Sequence, residues 1–128
     1  AVTEPLPWEL PPAAYHCERG YLYFRPVEGN RLLIGGGRHW MPSGDQTASI
    51  ETDEVLLDRL LQFANRLTDR NDLRISMSWA GTLGVGPERM PIVKKVDHGV
   101  VACIRLGGMG VALSASLGKR AAGLLMDL

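Results

Sequence analysis

The stretch from Val100 to Gly118 concentrates the residues best suited to chemistry: a strand, the turn Gly107-Gly108-Met109-Gly110, and then a helix. Glycines at 107, 108 and 110 let the backbone approach a ligand closely or take positive φ. The helix that follows opens with free amides and the positive end of its dipole, which favour an electron-rich or anionic group. On that helix Ala112, Ala115, Gly118, Ala122 and Gly123 are small enough for another element to pack tightly, while Leu113, Leu117, Ala121, Leu124 and Leu125 supply an apolar face. A second set lies upstream. Tyr21, Tyr23 and Arg25 alternate along one strand and therefore share a face. That mixture of aromatic and cationic groups suits an exposed surface or a polar ligand cavity, and alternation does not choose between them.

Several familiar chemistries lack their residues. The dinucleotide fingerprint G-x-G-x-x-G is absent: Gly107, Gly108 and Gly110 have the wrong spacing, and Gly84-Val85-Gly86 meets Arg89 where the third glycine should stand. There is no phosphate-binding loop ending in Gly-Lys-Ser/Thr. His16 and His98 lack partners at ligand spacing, so no metal site is expected, and His39 reads as surface loop. Cys17 and Cys103 lie far apart and read as buried, reduced thiols.

Composition fits one self-sufficient domain. The chain has 128 residues, 45% of them hydrophobic, which is enough to fold. Acidic and basic residues balance at 14 each. A nucleic-acid or anionic-membrane partner normally needs a basic surface, so neither is expected. No run is long enough to span a membrane, and the acidic, Pro-rich start from Ala1 to Trp8 is no signal peptide. Cytoplasmic residence follows as the expectation.

The elements that must position these groups can be read in order. Pro5, Pro7, Pro11 and Pro12 make residues 1 to 14 an extended, strand-poor lead-in, as if arriving from structure upstream. Tyr21 to Arg25 and Arg31 to Gly35 form a hairpin around Val27-Glu28-Gly29-Asn30. Gly35-Gly36-Gly37 ends it, and a long loop follows from Arg38 to about Glu51, carrying His39, Trp40 and Met41. Thr52 caps a helix whose inner face is Leu56, Leu57, Leu60, Ala64 and Leu67. Leu73 to Trp79 alternates as a strand antiparallel to the hairpin. Gly81, Gly84 and Gly86 lead to Pro87 and Pro91. Val100 to Ile104 reads as a buried strand, and the last helix runs from about Val111 to Met126.

Four stretches in this order resemble the FAD-dependent oxidoreductases of the D-amino-acid oxidase and glycine oxidase superfamily. They are Gly20-Tyr21-Leu22-Tyr23-Phe24-Arg25; Arg31 to Gly37; Trp79 to Gly86 with Met90-Pro91-Ile92-Val93; and Arg105 to Gly110. Thr3-Glu4-Pro5-Leu6 is similar to the entry into the substrate domain of that superfamily. The likeness covers nearly the whole chain. It implies an α+β fold: an antiparallel substrate-domain sheet with one covering helix over residues 1–98, then the last strand, Gly-rich turn and helix of a flavin domain over residues 99–128. The strand from Val100 to Ile104 should accordingly stand apart from the main sheet. The dinucleotide-binding part that holds the FAD pyrophosphate would lie elsewhere, so the chain reads as a fragment that is not expected to bind FAD alone.

By position, the resemblance places Gly107, Gly108, Met109 and Gly110 against the flavin ring and Arg105 where glycine oxidases bind the substrate carboxylate. Bidentate guanidinium–carboxylate geometry suits that task, although an arginine there can equally pair with an acid at the strand end. Arg25, Tyr23 and Trp79 are second-tier substrate-site candidates, since the family builds its pocket over this sheet; for them the packing or surface reading is the favoured one. The implied reaction oxidises the C–N bond of an amino acid or amine by hydride transfer to FAD, and requires no catalytic side chain. The competing reading is a self-contained small-ligand-binding or protein-interaction domain without redox activity. A severed flavin domain would expose sheet or helix surface and self-associate, whereas a self-contained module would be monomeric.

Overall fold

The computed structural model describes residues 1–41, 50–88 and 90–126. The chain divides into two units, Ala1–Gly81 and Thr82–Leu128. Both mix antiparallel strands with one α-helix, so the fold is α+β.

In the first unit the expected hairpin forms from β3 (Leu22–Val27) and β4 (Arg31–Gly36), in a register that sets Leu22 opposite Gly36 and Val27 opposite Arg31. Asn30 closes the turn at φ 54°, a left-handed conformation that asparagine tolerates. Its side-chain amide donates to the carbonyls of Leu6 and Trp8, and so ties the Pro-rich lead-in to the hairpin. β2 (Tyr15–Cys17) pairs with the outer edge of β3.

The lead-in is not free of strand. β1 (Val2–Thr3) runs antiparallel between β4 and β5 (Ile75–Met77), giving the order β2-β3-β4-β1-β5. Two residues are too few to show a period, and the prolines after them mask the strand. The hydroxyl of Thr3 accepts from the Leu32 amide at 3.0 Å, which satisfies both groups in a fully buried position. β5 is shorter than the alternation from Leu73 to Trp79 suggests, and its hydrogen-bonded partner is β1 rather than the hairpin.

α1 (Glu54–Thr68) covers one face of the sheet. Its N-cap is Asp53, one residue beyond the expected Thr52: the Asp53 carboxylate accepts from the Leu56 amide at 2.9 Å. The helix stops where Asp69 turns left-handed. Leu60 and Ala64 are buried, with Leu56, Leu57 and Phe63 packed beside them, whereas Leu67 is exposed. Against this face lie Leu22, Leu32 and Ile34, each removed from solvent. Burial of each such side chain is worth about 1.5–3 kcal/mol.

The second unit is a hairpin of β6 (Ile92–Asp97) and β7 (Val100–Ile104), joined at His98-Gly99 and packed on α2 (Gly110–Met126). β7 stands in this separate two-stranded sheet. It is not the buried strand expected from its composition: Val100 and Ile104 are about half exposed, and Val93 is the one buried residue among those described in this unit. The helix lies on the hairpin, and no further layer covers the sheet within the unit. Along α2, Leu113, Leu117, Ala121 and Leu124 are partly buried, while Ala112, Ala115, Gly118, Ala122 and Gly123 are exposed. Leu125, expected on the apolar face, is also exposed.

Candidate functional site

Unit by unit, the candidate residues fall into two groups. In the first unit β3 alternates cleanly. Leu22 and Phe24 face the core under α1, leaving Tyr23 and Arg25 on the opposite face, both exposed. Cross-strand register adds neighbours to that face: His16 opposite Tyr23, and Leu33 opposite Arg25. The rings of His16 and Tyr23 lie 6.2 Å apart. Tyr23 sits over Gly35 so closely that a β-carbon there would collide with its phenol. Gly35 thus leaves room for the ring to lie flat across the strand. Trp79 lies two residues beyond β5, outside the strand, and is 55% exposed.

Tyr21, at the start of β3, belongs to a tighter cluster. Its ring lies 4.7 Å from that of His39 and 5.2 Å from the Arg38 guanidinium, and His39 pairs with Glu18. His39 is therefore held between Tyr21, Trp40 and Glu18 rather than lying on a bare loop. Residues 42–49, the middle of the long loop read from the sequence, are outside the described residues, as is Arg89.

In the second unit, Arg105 stands at the head of the Gly-rich turn at φ 62°, a left-handed conformation uncommon for an arginine. Its side chain folds back along the passage from Gly84 to Met90. The Nε donates to the Met90 carbonyl at 2.8 Å, and Nη2 bonds a Glu88 carboxylate oxygen at 3.2 Å. Gly86 provides the space: a β-carbon there would stand 2.9 Å from the Arg105 side chain. The Gly107 amide donates to the Gly84 carbonyl at 3.1 Å, a second tie between turn and passage. Glu88, Met90 and Gly84 were not singled out as partners by sequence reasoning. Pairing with an acid at the strand end was one of the two readings open for Arg105; the acid it meets comes from irregular chain seventeen positions earlier.

Beyond Arg105, Gly107 and Gly108 take φ of 58° and 86°, and no atom lies within 4 Å of where their β-carbons would be. Met109 is 56% exposed. The Met109 amide donates to the Leu106 carbonyl, and the Leu113 amide to the Met109 carbonyl. The first amides of α2 precede any intrahelical acceptor, as at every helix start. Gly107 and Gly108 therefore form an open backbone ledge just before the positive end of a 17-residue helix, while the Leu106 side chain lies against Gly110. A planar, electron-rich group fits such a ledge: no side chain obstructs Gly107 or Gly108, and the local partial charge is positive.

The cysteines differ from each other. Burial, and after it the Glu18 charge, push the Cys17 thiol above its ordinary pKa, which keeps it protonated and unreactive. Cys103 is exposed on β7, not buried as expected. No helix among the described residues is long and apolar enough to cross a membrane.

Comparison with known proteins adds an independent observation. The model of the DAO family, described as FAD dependent oxidoreductase, matches residues 1–124. A probable oxidoreductase, OrdL, from Rhizobium meliloti (strain 1021) is 28% identical over 97 residues, which are 76% of this chain and 21% of that protein. The chain thus spans about a fifth of the length of this curated relative. No solved structure gives a significant match.

Proposed function

Since the chain belongs to the DAO family of FAD-dependent oxidoreductases, we propose that it forms the substrate-facing sheet and the flavin-facing turn of an enzyme that oxidises the C–N bond of an amino acid or amine. The observation that carries this reading is the open ledge at Gly107 and Gly108, set just before α2 and two residues beyond Arg105. The dinucleotide-binding part would be supplied by sequence outside these 128 residues. The exposed small residues of α2, from Ala112 to Gly123, offer a surface on which that part can pack closely. Cytoplasmic residence belongs to the same proposal.

Bound FAD supplies the acceptor for the hydride equivalent leaving the substrate carbon. The chain's own residues bind and orient. The ledge amides not committed to the Gly84 and Leu106 carbonyls, together with the α2 dipole, would stabilise negative charge on a bound flavin. In the second unit Arg105 would hold the substrate carboxylate; in the first, Tyr23, Arg25 and Trp79 are further substrate-binding candidates. Orientation of this kind accounts for much of the acceleration in reactions where the cofactor carries the chemistry.

Anaerobic mixing of the flavin-loaded enzyme, this chain together with its dinucleotide-binding part, with a panel of amino acids and secondary amines tests the reading. Bleaching of the flavin band by one member of the panel is expected. A flavin band that no amine or amino acid bleaches contradicts C–N oxidation.

A further inference from the structure

The pairing of Arg105 has a chemical consequence. Its side chain is only 18% exposed, and two guanidinium nitrogens are engaged: Nε by the Met90 carbonyl and Nη2 by Glu88. The two contacts differ in kind. Met90 offers a neutral backbone carbonyl, which orients the guanidinium without neutralising it. Glu88 offers a carboxylate on a side chain that is 78% exposed, attached to an irregular segment and able to swing into solvent. A carboxylate presented to Nη2 is the same chemical group, with the same charge, as the one an amino-acid substrate would present. The Arg105 side chain also lies close over Gly86, and its Nε bond to Met90 does not involve Glu88.

We propose that Glu88 is a specificity-determining residue: its carboxylate acts as an internal stand-in on Arg105 that a substrate's carboxylate must displace. The inference rests on the assignment of Arg105 to carboxylate binding made above. Weak carboxylates lose the competition, and a ligand engaging two guanidinium nitrogens at once wins it, because bidentate pairing is stronger than the single Glu88 contact. A neutral amine without a carboxylate leaves the Glu88–Arg105 pair intact and meets no competition. The site thereby discriminates according to how well a ligand presents its carboxylate. Exposed ion pairs are weak, so the barrier is modest and Glu88 tunes binding without blocking it.

Titration of the protein with sodium propionate, followed by isothermal calorimetry or by NMR shifts around Arg105, tests this. Glu88→Gln and Glu88→Ala are both compared with the parent sequence. Residue 88 is exposed, so neither substitution disturbs a core. Propionate binding should tighten about two- to five-fold in both variants, and Arg105→Lys should abolish it. Equal or weaker binding in the Glu88 variants, with Arg105→Lys still losing it, overturns the role of Glu88 while leaving Arg105 as the carboxylate ligand. Binding that survives Arg105→Lys unchanged overturns both assignments, and so does the absence of propionate binding from every variant.

Discussion

The phenol of Tyr23 lies across the backbone of Gly35, its cross-strand partner, on the sheet face opposite α1. The next glycine is crowded differently. Gly36 sits at φ 98°, and a β-carbon there would run into the backbone carbonyl of Tyr21, which cannot move aside. One glycine makes room for a side chain, and the other makes room for the chain itself.

Alanine substitutions should separate these roles. Gly36→Ala should cost at least about 1–3 kcal/mol from the imposed φ alone, read as a lowered urea midpoint. Gly35→Ala should shift stability by less than about 1 kcal/mol, because an exposed ring can swing into solvent. If Tyr23 shapes the substrate pocket, Gly35→Ala should nonetheless raise KM. Equal destabilisation by the two substitutions would contradict this division.

The start of α1 gives a second prediction. Asp53 makes the capping bond to Leu56, and Thr52 makes none. Asp53→Ala should destabilise by about 1 kcal/mol, while Thr52→Ala should stay within about 0.5 kcal/mol of the parent. Thermal or urea unfolding distinguishes them, and a larger loss from Thr52→Ala would return the cap to the position that the sequence favoured.

Acid sensitivity can be assigned to a pair in the first unit. Arg70 bonds both carboxylate oxygens of Asp72 and holds its pKa below the ordinary carboxylate value, chiefly through those hydrogen bonds. A carboxyl group with a depressed folded-state pKa contributes stability above its unfolded pKa and loses it as pH falls through the folded value. The loss therefore lies on the acid side of ordinary carboxylate titration. Asp72→Asn should flatten that part of the stability–pH curve and leave neutral pH little changed, since the pair is exposed and screened by salt. NMR titration of the Asp72 carboxyl carbon checks the direction, and an elevated midpoint would contradict it.

Regular patterns made the hairpin and α1 legible in the sequence. Tyr21 to Arg25 alternates with period two, and Leu56, Leu57, Leu60 and Ala64 recur with helical spacing. Where structure arises from pairing, the sequence is silent. Val2-Thr3 is a strand only because β4 and β5 flank it. Ile92 to Asp97 follows Pro91 and carries Lys94-Lys95 in its middle, so no alternation marks it, yet it is the partner of β7. The turn from Gly107 to Gly110 announced itself through its glycines. The link from Arg105 to Glu88 did not, because irregular chain has no period from which a contact can be inferred. The exposure of β7 escaped for a related reason: an apolar run shows what could be buried, and only the layers around it decide whether it is.

The flavin-facing role of the Gly107–Gly108 ledge is the central claim, and a matched pair of glycines tests it most directly. Gly108 and Gly99 share positive φ, at 86° and 70°, and open space around the β-carbon position, so valine imposes comparable local strain at either. The measurement is the visible spectrum and FAD content of the flavin-loaded enzyme carrying Gly108→Val or Gly99→Val. The account predicts a shifted flavin band or lost FAD for Gly108→Val, and the parent spectrum for Gly99→Val. An unaltered flavin band and full FAD content in Gly108→Val would contradict it.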